Sequence, residues 1–314
     1  MTVNIDITKE LKAVEKLIKS DINKEKTILG LYNYIFKSDG KKIRSRLNLI
    51  ASSSSKNSHR YKLASIIELL HTATLVHDDV VDNASTRRGA VSVNSLWSNA
   101  HGVLIGDYIY SKAFMLMVEI GKKDILAELA DATNDISQGE LIQLDAISNI
   151  KISLNKLKKI SYFKTGRLFE ASAKTGAMLA GANKNFIKNI SESAKNIGIL
   201  FQIKDDLLDY SNSSKTGKQS FQDLKEGKVT YPFFFALKNS SQREKKQLIS
   251  FLGNQRLNEK KALALISKLN GLIKTQQLAE KFYTSSINAA KTINNQFIRQ
   301  EMIELANIAL NREK

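Results

Sequence analysis

The sequence predicts an all-α protein, and three observations carry that expectation. Its 314 residues include one proline and fifteen glycines, too few turn formers for a protein of many short strands. Leu, Ile, Ala and Lys are among the commonest residues, and Leu, Ala and Lys favour helix. Apolar residues recur at helical spacing over residues 60–82, 102–120, 123–145, 156–180 and 186–210. The connections between these runs are short and polar: SDGKK at 38–42, SSSSKNSH at 52–59, NASTRRGA at 83–90 and SNSSKTGKQS at 211–220. No shift of composition marks a boundary, so residues 1–314 are expected to form a single domain.

Composition narrows the chemistry. There is no cysteine, which removes thiol nucleophiles, thiolate metal sites and disulfides. No apolar run approaches the roughly eighteen residues of a membrane span. The opening MTVNIDITKELK mixes acids and lysines and lacks the apolar core of a signal peptide. A soluble, cytoplasmic protein is expected. The net charge is +17, but the lysines are spread along the whole chain, with no Arg-rich arm and no basic–aromatic alternation. That distribution reads first as solvated helix faces and second as affinity for phosphate-rich ligands or lipid headgroups. Nucleic acid is not expected as a partner.

One pattern occurs twice. HDDVVD at 77–82 places Asp78, Asp79 and Asp82 at the end of the apolar run LASIIELLHTATLV, and FQIKDDLLDY at 201–210 repeats the spacing with Asp205, Asp206 and Asp209. On a helix the first and last acids of D-D-x-x-D lie one turn apart on the same face. By the same rule Thr74 and His71 stack under Asp78, and Gln202 and Gly198 under Asp205. Neighbouring carboxylates repel unless a cation compensates them. Carboxylate oxygens without Cys or His partners suit hard ions, Mg²⁺ above all where phosphate adds ligands. A single such triplet is as readily a solvated helix end. Two copies are not, because basic residues follow each: Arg87 and Arg88 after the first, Lys218 and Lys228 after the second. Carboxylates that hold metal, beside cations that hold phosphate, point to a metal-bridged diphosphate.

Six segments then resemble the trans-polyprenyl diphosphate synthases, the head-to-tail isoprenyl chain-elongating family, and they run in family order. They are GKKIR at 40–44, ELLHTATLVHDDVVDNASTRRG at 68–89, GDYIYSKAF at 106–114, YFKTGRLFEAS at 162–172, FQIKDDLLDY at 201–210 and GKQSFQDLKEGKVTYP at 217–232. The resemblance implies the isoprenoid synthase fold, antiparallel helices around a deep central cavity, usually as a homodimer. It implies that an allylic diphosphate ionises, that isopentenyl diphosphate attacks the carbocation through its double bond, and that proton loss leaves a product five carbons longer. Asp78, Asp79, Asp82, Asp205, Asp206 and Asp209 would hold two or three Mg²⁺ ions on the allylic diphosphate. Arg87, Lys164, Thr165, Gln202, Lys218 and Lys228 would contact that same substrate. Lys41, Arg44, His71 and Arg88 would bind the diphosphate of isopentenyl diphosphate without metal.

Two departures stand in the first of these segments. The family pattern Gly-Gly-Lys-x-x-Arg-Pro has Asp39 for its first glycine and Ser45 for its proline, which leaves Lys41 and Arg44 in place but puts the loop shape in question, with Arg46 as a substitute donor. Product length rests on Ala73 and Thr74, the positions where early-stopping members carry a bulky residue. Small side chains there imply an open channel and a long product. The first motif most resembles octaprenyl-type synthases that supply quinone side chains, with nonaprenyl, solanesyl-type and hexaprenyl lengths open and farnesyl diphosphate as the expected primer. A shorter-chain synthase and a non-catalytic subunit of a heteromeric synthase are the alternatives. The resemblance also leaves room for transient membrane contact during product release.

Overall fold

The computed structural model describes residues 6–37, 40–211 and 220–312. Among them the chain is helical almost throughout. The helices are α1 (Ile7–Ile18), α2 (Lys26–Ile35), α3 (Ile43–Ala51), α4 (His59–Val81), α5 (Val93–Leu96), α6 (Asn99–Ile120), α7 (Lys123–Leu144), α8 (Leu154–Ser161), α9 (Arg167–Leu179) and α10 (Lys184–Leu208). They continue with α11 (Gln222–Lys225), α12 (Tyr231–Lys238), α13 (Gln242–Ile249), α14 (Glu259–Lys268), α15 (Gly271–Lys291) and α16 (Gln296–Leu310). The strands among the described residues are Thr86–Arg87 and Ala90–Val91, paired antiparallel as one small hairpin. No helix among these residues is long and apolar enough to cross a membrane.

The predicted runs end within three residues of the long helices α4, α6, α7 and α10, while α15 and α16 lie where no run is singled out. The remaining run, 156–180, is not one α-helix but α8 and α9 joined by a π turn at Tyr162–Gly166. Such turns are rare and often mark function. Close packing accompanies this one: a Cβ at Gly198 on α10 would lie 2.7 Å from the Gly166 Cα and 2.9 Å from the Phe169 Cβ. Only glycine lets α10 lie against the widened turn.

The chain groups into two compact units, Met1–Thr133 with Ala171–Ile190, and Asn134–Glu170 with Ser191–Lys314. In the first, α4 packs against α1, α3 and α6. Leu63, Ile66, Ile67, Leu69, Leu70 and Ala73 of α4 are all fully buried. Each large aliphatic side chain of that kind contributes about 1.5–3 kcal/mol of apolar transfer. A Cβ at Gly106 of α6 would sit 2.2 Å from the His77 ring, so glycine brings α6 onto the last turn of α4, where the first acid motif begins. A bidentate pair, Arg60 to Glu10 at 2.9 and 3.0 Å, ties α4 to α1.

In the second unit, α12 packs against α14 and α15, and α15 against α16. The sole proline of the sequence, Pro232, lies in the first turn of α12, where a missing N–H costs nothing. Ser193 of α10 and Ser286 of α15 each donate to the other's carbonyl at 3.1 Å, which satisfies both hydroxyls in a dry contact.

Candidate active site

The first acid motif occupies the last turn of α4 and its cap. Asp79 is buried, whereas Asp78 and Asp82 are half-buried. Arg87 Nε donates to Asp79 Oδ1 at 2.7 Å. Burial pushes the Asp79 carboxyl above its ordinary range, and the Arg87 guanidinium opposes that shift. The hairpin explains how Arg87 reaches it. Arg88 (φ 51°) and Gly89 (φ 78°) are both left-handed, as the two central residues of a type I′ turn require. The predicted loop 83–90 is therefore an ordered hairpin that delivers Arg87 to the motif.

Beside it stands a basic cluster. Arg44 Nη1 lies 3.0 Å from His71 Nε2. Burial, and then the Arg44, Arg88 and Arg87 guanidiniums, hold His71 well below its ordinary value, so the ring is neutral. The Arg88 guanidinium covers Gly40, where a Cβ would meet its Nη1 at 2.7 Å. The fold thus gathers Arg44, His71 and Arg88 with the GKKIR segment, and Lys41 lies exposed in that segment. The Ser45 departure has a local reason. Its hydroxyl bonds the Ala64 carbonyl at 2.9 Å and Glu68 Oε2 at 3.1 Å, satisfying a buried glutamate that proline would leave. Asp39 lies outside the described residues. Ala73 is fully buried and half-buried Thr74 donates to the His71 carbonyl at 2.7 Å.

The second motif repeats the burial pattern at the end of α10: Asp206 is buried, Asp205 and Asp209 half-buried. In both copies the middle acid is therefore the sequestered one. Asp206 Oδ1 accepts from Gln202 Nε2 at 3.0 Å, and its Oδ2 accepts from the Tyr231 backbone N–H at 3.3 Å. Gln202, one turn below both Asp205 and Asp206, makes this hydrogen bond to the middle acid. Gln202 Oε1 in turn accepts from Thr165 Oγ1 at 2.7 Å, which joins the π turn to the motif. Lys164, in the same turn, pairs with Glu140 of α7 at 2.8 Å, and Lys228 pairs with Glu226 at 2.6 Å. Lys164, Gln202, Asp206, Asp223 and Lys228 line one concave pocket whose other wall is apolar, with Leu157 and Ile160. Lys218 lies outside the described residues.

These residues suit a hard divalent cation. Burial and then the nearby Asp223 carboxylate hold Asp206 and Asp209 above the ordinary carboxylate range. Asp209 Oδ2 is buried with no hydrogen-bond partner, an acceptor awaiting a donor or a cation. Among the described residues no three acids or histidines form a complete cage by themselves. Mg²⁺ held on phosphate does not need one, since one or two carboxylates, phosphate oxygens and water complete its shell. Asp223, Glu140 and Arg312 are the site residues that sequence reasoning missed. Asp223 sits inside the quoted segment FQDLKEGK, but no spacing marks Glu140 or Arg312.

Known proteins share this chain's sequence pattern and fold. The Polyprenyl synthetase family model matches residues 25–269. The octaprenyl diphosphate synthase of Escherichia coli is 32% identical, over 99% of this chain and 98% of its own. Among solved structures, a decaprenyl diphosphate synthase from Rhodobacter capsulatus superimposes with a TM-score of 0.92 at 29% identity, covering 98% of this chain and 97% of that one. A polyprenyl synthase from Caulobacter crescentus, solved with calcium and isoprenyl diphosphate, gives 0.90 at 31% identity over 98% and 95% of the two chains. The fold is the all-α isoprenoid synthase fold, and the chain belongs to the polyprenyl synthetase family, whose members are trans-prenyltransferases.

Proposed function

We propose that this chain elongates an allylic diphosphate, farnesyl diphosphate as primer, by repeated head-to-tail addition of isopentenyl diphosphate to a long all-trans polyprenyl diphosphate, octaprenyl in length. The observation that carries the reading is the pair of acid motifs, each ending a long helix and each with its own local cations. Asp78, Asp79 and Asp82 with Asp205, Asp206 and Asp209 would hold Mg²⁺ against the allylic diphosphate. When bound, that metal supplies neutralisation of the charge that develops on the departing diphosphate. Arg87, Lys164 and Lys228 would add fixed positive charge to the same group, and Thr165 and Gln202 orient Asp206. Lys218 is assigned there by resemblance alone.

Arg44, His71, Arg88 and Lys41 would take isopentenyl diphosphate. A neutral His71 serves there as a hydrogen-bond donor, and the guanidiniums carry the charge. Without metal, that diphosphate is not activated to leave, as the condensation requires. The small, buried Ala73 supports the long product, and the long-chain relatives support it too. A single 314-residue domain, a homodimer, a cytoplasmic location and transient membrane contact on product release complete the reading. The homodimer draws support from α6, which exposes Leu104 (66%), Met115 (67%) and Val118 (69%) along one face, a stripe a soluble protein seldom leaves uncovered.

Incubation with labelled isopentenyl diphosphate, farnesyl diphosphate and Mg²⁺, followed by chain-length analysis, tests the proposal. Long labelled products that require the metal are expected. Absence of any elongated product from folded protein would overturn it.

A further inference from the structure

Lys164 enters the site from the π turn, and α7 decides where it points. Gly139 of α7 lies so near that turn that a Cβ would stand 2.8 Å from the Phe163 Cβ and 3.0 Å from the Lys164 backbone nitrogen. The residue after it, Glu140, is thereby fixed beside the Lys164 side chain, and its Oε2 accepts from Nζ at 2.8 Å. The two side chains are only 24% and 19% exposed, so this is not a solvated surface pair of the kind that contributes little.

We propose that Glu140 is a positioning residue for the allylic diphosphate, acting through Lys164; the inference rests on the role given to Lys164 above. An ammonium on a four-carbon stem has many rotamers and three donors. Pairing with a carboxylate on a stiff helix narrows those rotamers and holds Lys164 in the wall of the pocket that Gln202, Asp206 and Lys228 also line. The ordering is done before substrate arrives, which is what preorganisation means energetically. Lys228 repeats the arrangement with Glu226 at 2.6 Å. Each of these cations thus has an acid neighbour outside the two aspartate motifs.

Steady-state kinetics on Glu140→Ala, Glu140→Gln, Lys164→Ala and the Glu140→Ala/Lys164→Ala double variant, each with its melting temperature, test the assignment. Glu140→Ala should raise KM for farnesyl diphosphate about tenfold, the loss of one charge-assisted hydrogen bond, and leave KM for isopentenyl diphosphate unchanged. Glu140→Gln keeps an acceptor oxygen and should recover part of the loss. In the Lys164→Ala background, Glu140→Ala should add nothing. Additive effects, a lower KM for farnesyl diphosphate, or equal shifts for both substrates with a lower melting temperature would overturn the inference. If Lys164→Ala raises KM and Glu140→Ala does not, Glu140 alone is misassigned. If Lys164→Ala leaves KM for farnesyl diphosphate unchanged, the role of Lys164 falls and the inference falls with it. Should Glu140→Ala not fold, the same cycle with Glu140→Gln decides between these outcomes.

Discussion

Arg312, beyond the end of α16, donates from Nη1 to Asp205 Oδ1 at 2.5 Å, and its guanidinium lies 4.0 Å from the centre of the Phe201 ring one turn earlier on α10. The first acid of the second motif is thus held by a cation from outside the stretch, residues 25–269, that the family model matches. Arg312→Ala should cost about 1 kcal/mol of stability in metal-free protein, the scale of a partly exposed ion pair stacked on a ring. Melting curves with and without Mg²⁺ plus inorganic diphosphate check this. The difference should shrink with metal present, and an unchanged difference would show that the two cations do not share Asp205.

Both acid motifs should be indispensable. Asp78→Ala and Asp205→Ala are each expected to cut turnover by about a thousandfold, or roughly 4 kcal/mol of barrier, without unfolding the chain. Incorporation of labelled isopentenyl diphosphate measures it. Near-normal activity in either folded variant would contradict the two-motif mechanism.

Stability and metal affinity should respond to pH in opposite directions. Burial and Asp223 hold Asp206 and Asp209 above the ordinary carboxylate range, so the native metal-free protein keeps protons there that the unfolded chain releases. The native state binds more protons than the unfolded one, so stability falls as pH rises from about 5 to about 8. Metal favours the deprotonated carboxylates, so its affinity rises over the same interval. Melting temperatures should therefore decline with pH in chelator, and the increment from Mg²⁺ should grow. An increment independent of pH would exclude these two acids as its source.

The two diphosphates should separate by variant. Arg44→Ala or His71→Ala is expected to raise KM for isopentenyl diphosphate about tenfold and to affect the allylic substrate less. Lys164→Ala should show the reverse bias. Equal shifts for both substrates would mean that the partition is wrong.

Chain length should answer to Ala73. It lies five residues before Asp78, roughly 7 Å along the helix axis at the usual rise. Each isoprene unit adds up to about 4 kcal/mol of apolar burial while space remains, so elongation stops where space does. Ala73→Phe should give mainly products of about fifteen to twenty carbons, with the first condensation retained. Since Ala73 is fully buried, the ring must displace something. Unchanged long products from a folded, active variant would remove Ala73 from the channel wall.

The long helices α4, α6, α7 and α10 and both acid motifs were legible because each is written locally, in periodicity and in charge spacing. What stayed hidden is non-local. Glu140 reaches Lys164 across 24 residues, and Arg312 reaches Asp205 across 107. Neither pairing leaves a trace in a single sequence. The π turn escaped for another reason: YFKTG has ordinary helical composition, and the distortion accompanies the close approach of Gly198 from another helix. Ser45 looked like damage to a family pattern, yet it answers a buried glutamate on α4.

The hairpin turn also bears on how this protein could be made hardier. Arg88 holds a left-handed backbone at φ 51°, a conformation that costs an ordinary side chain about 1 kcal/mol and glycine almost nothing. Lys42, at φ 45°, carries the same burden in the loop that precedes α3. Arg88 belongs to the basic cluster and Lys42 follows Lys41 in the GKKIR segment, both at positions where backbone comfort alone would choose glycine or asparagine. A screen for heat tolerance would therefore be drawn to these two sites, and the gain at Arg88 would come at the expense of substrate capture. Such a screen needs an activity filter, because here the trade-off between durability and function is concentrated in single residues.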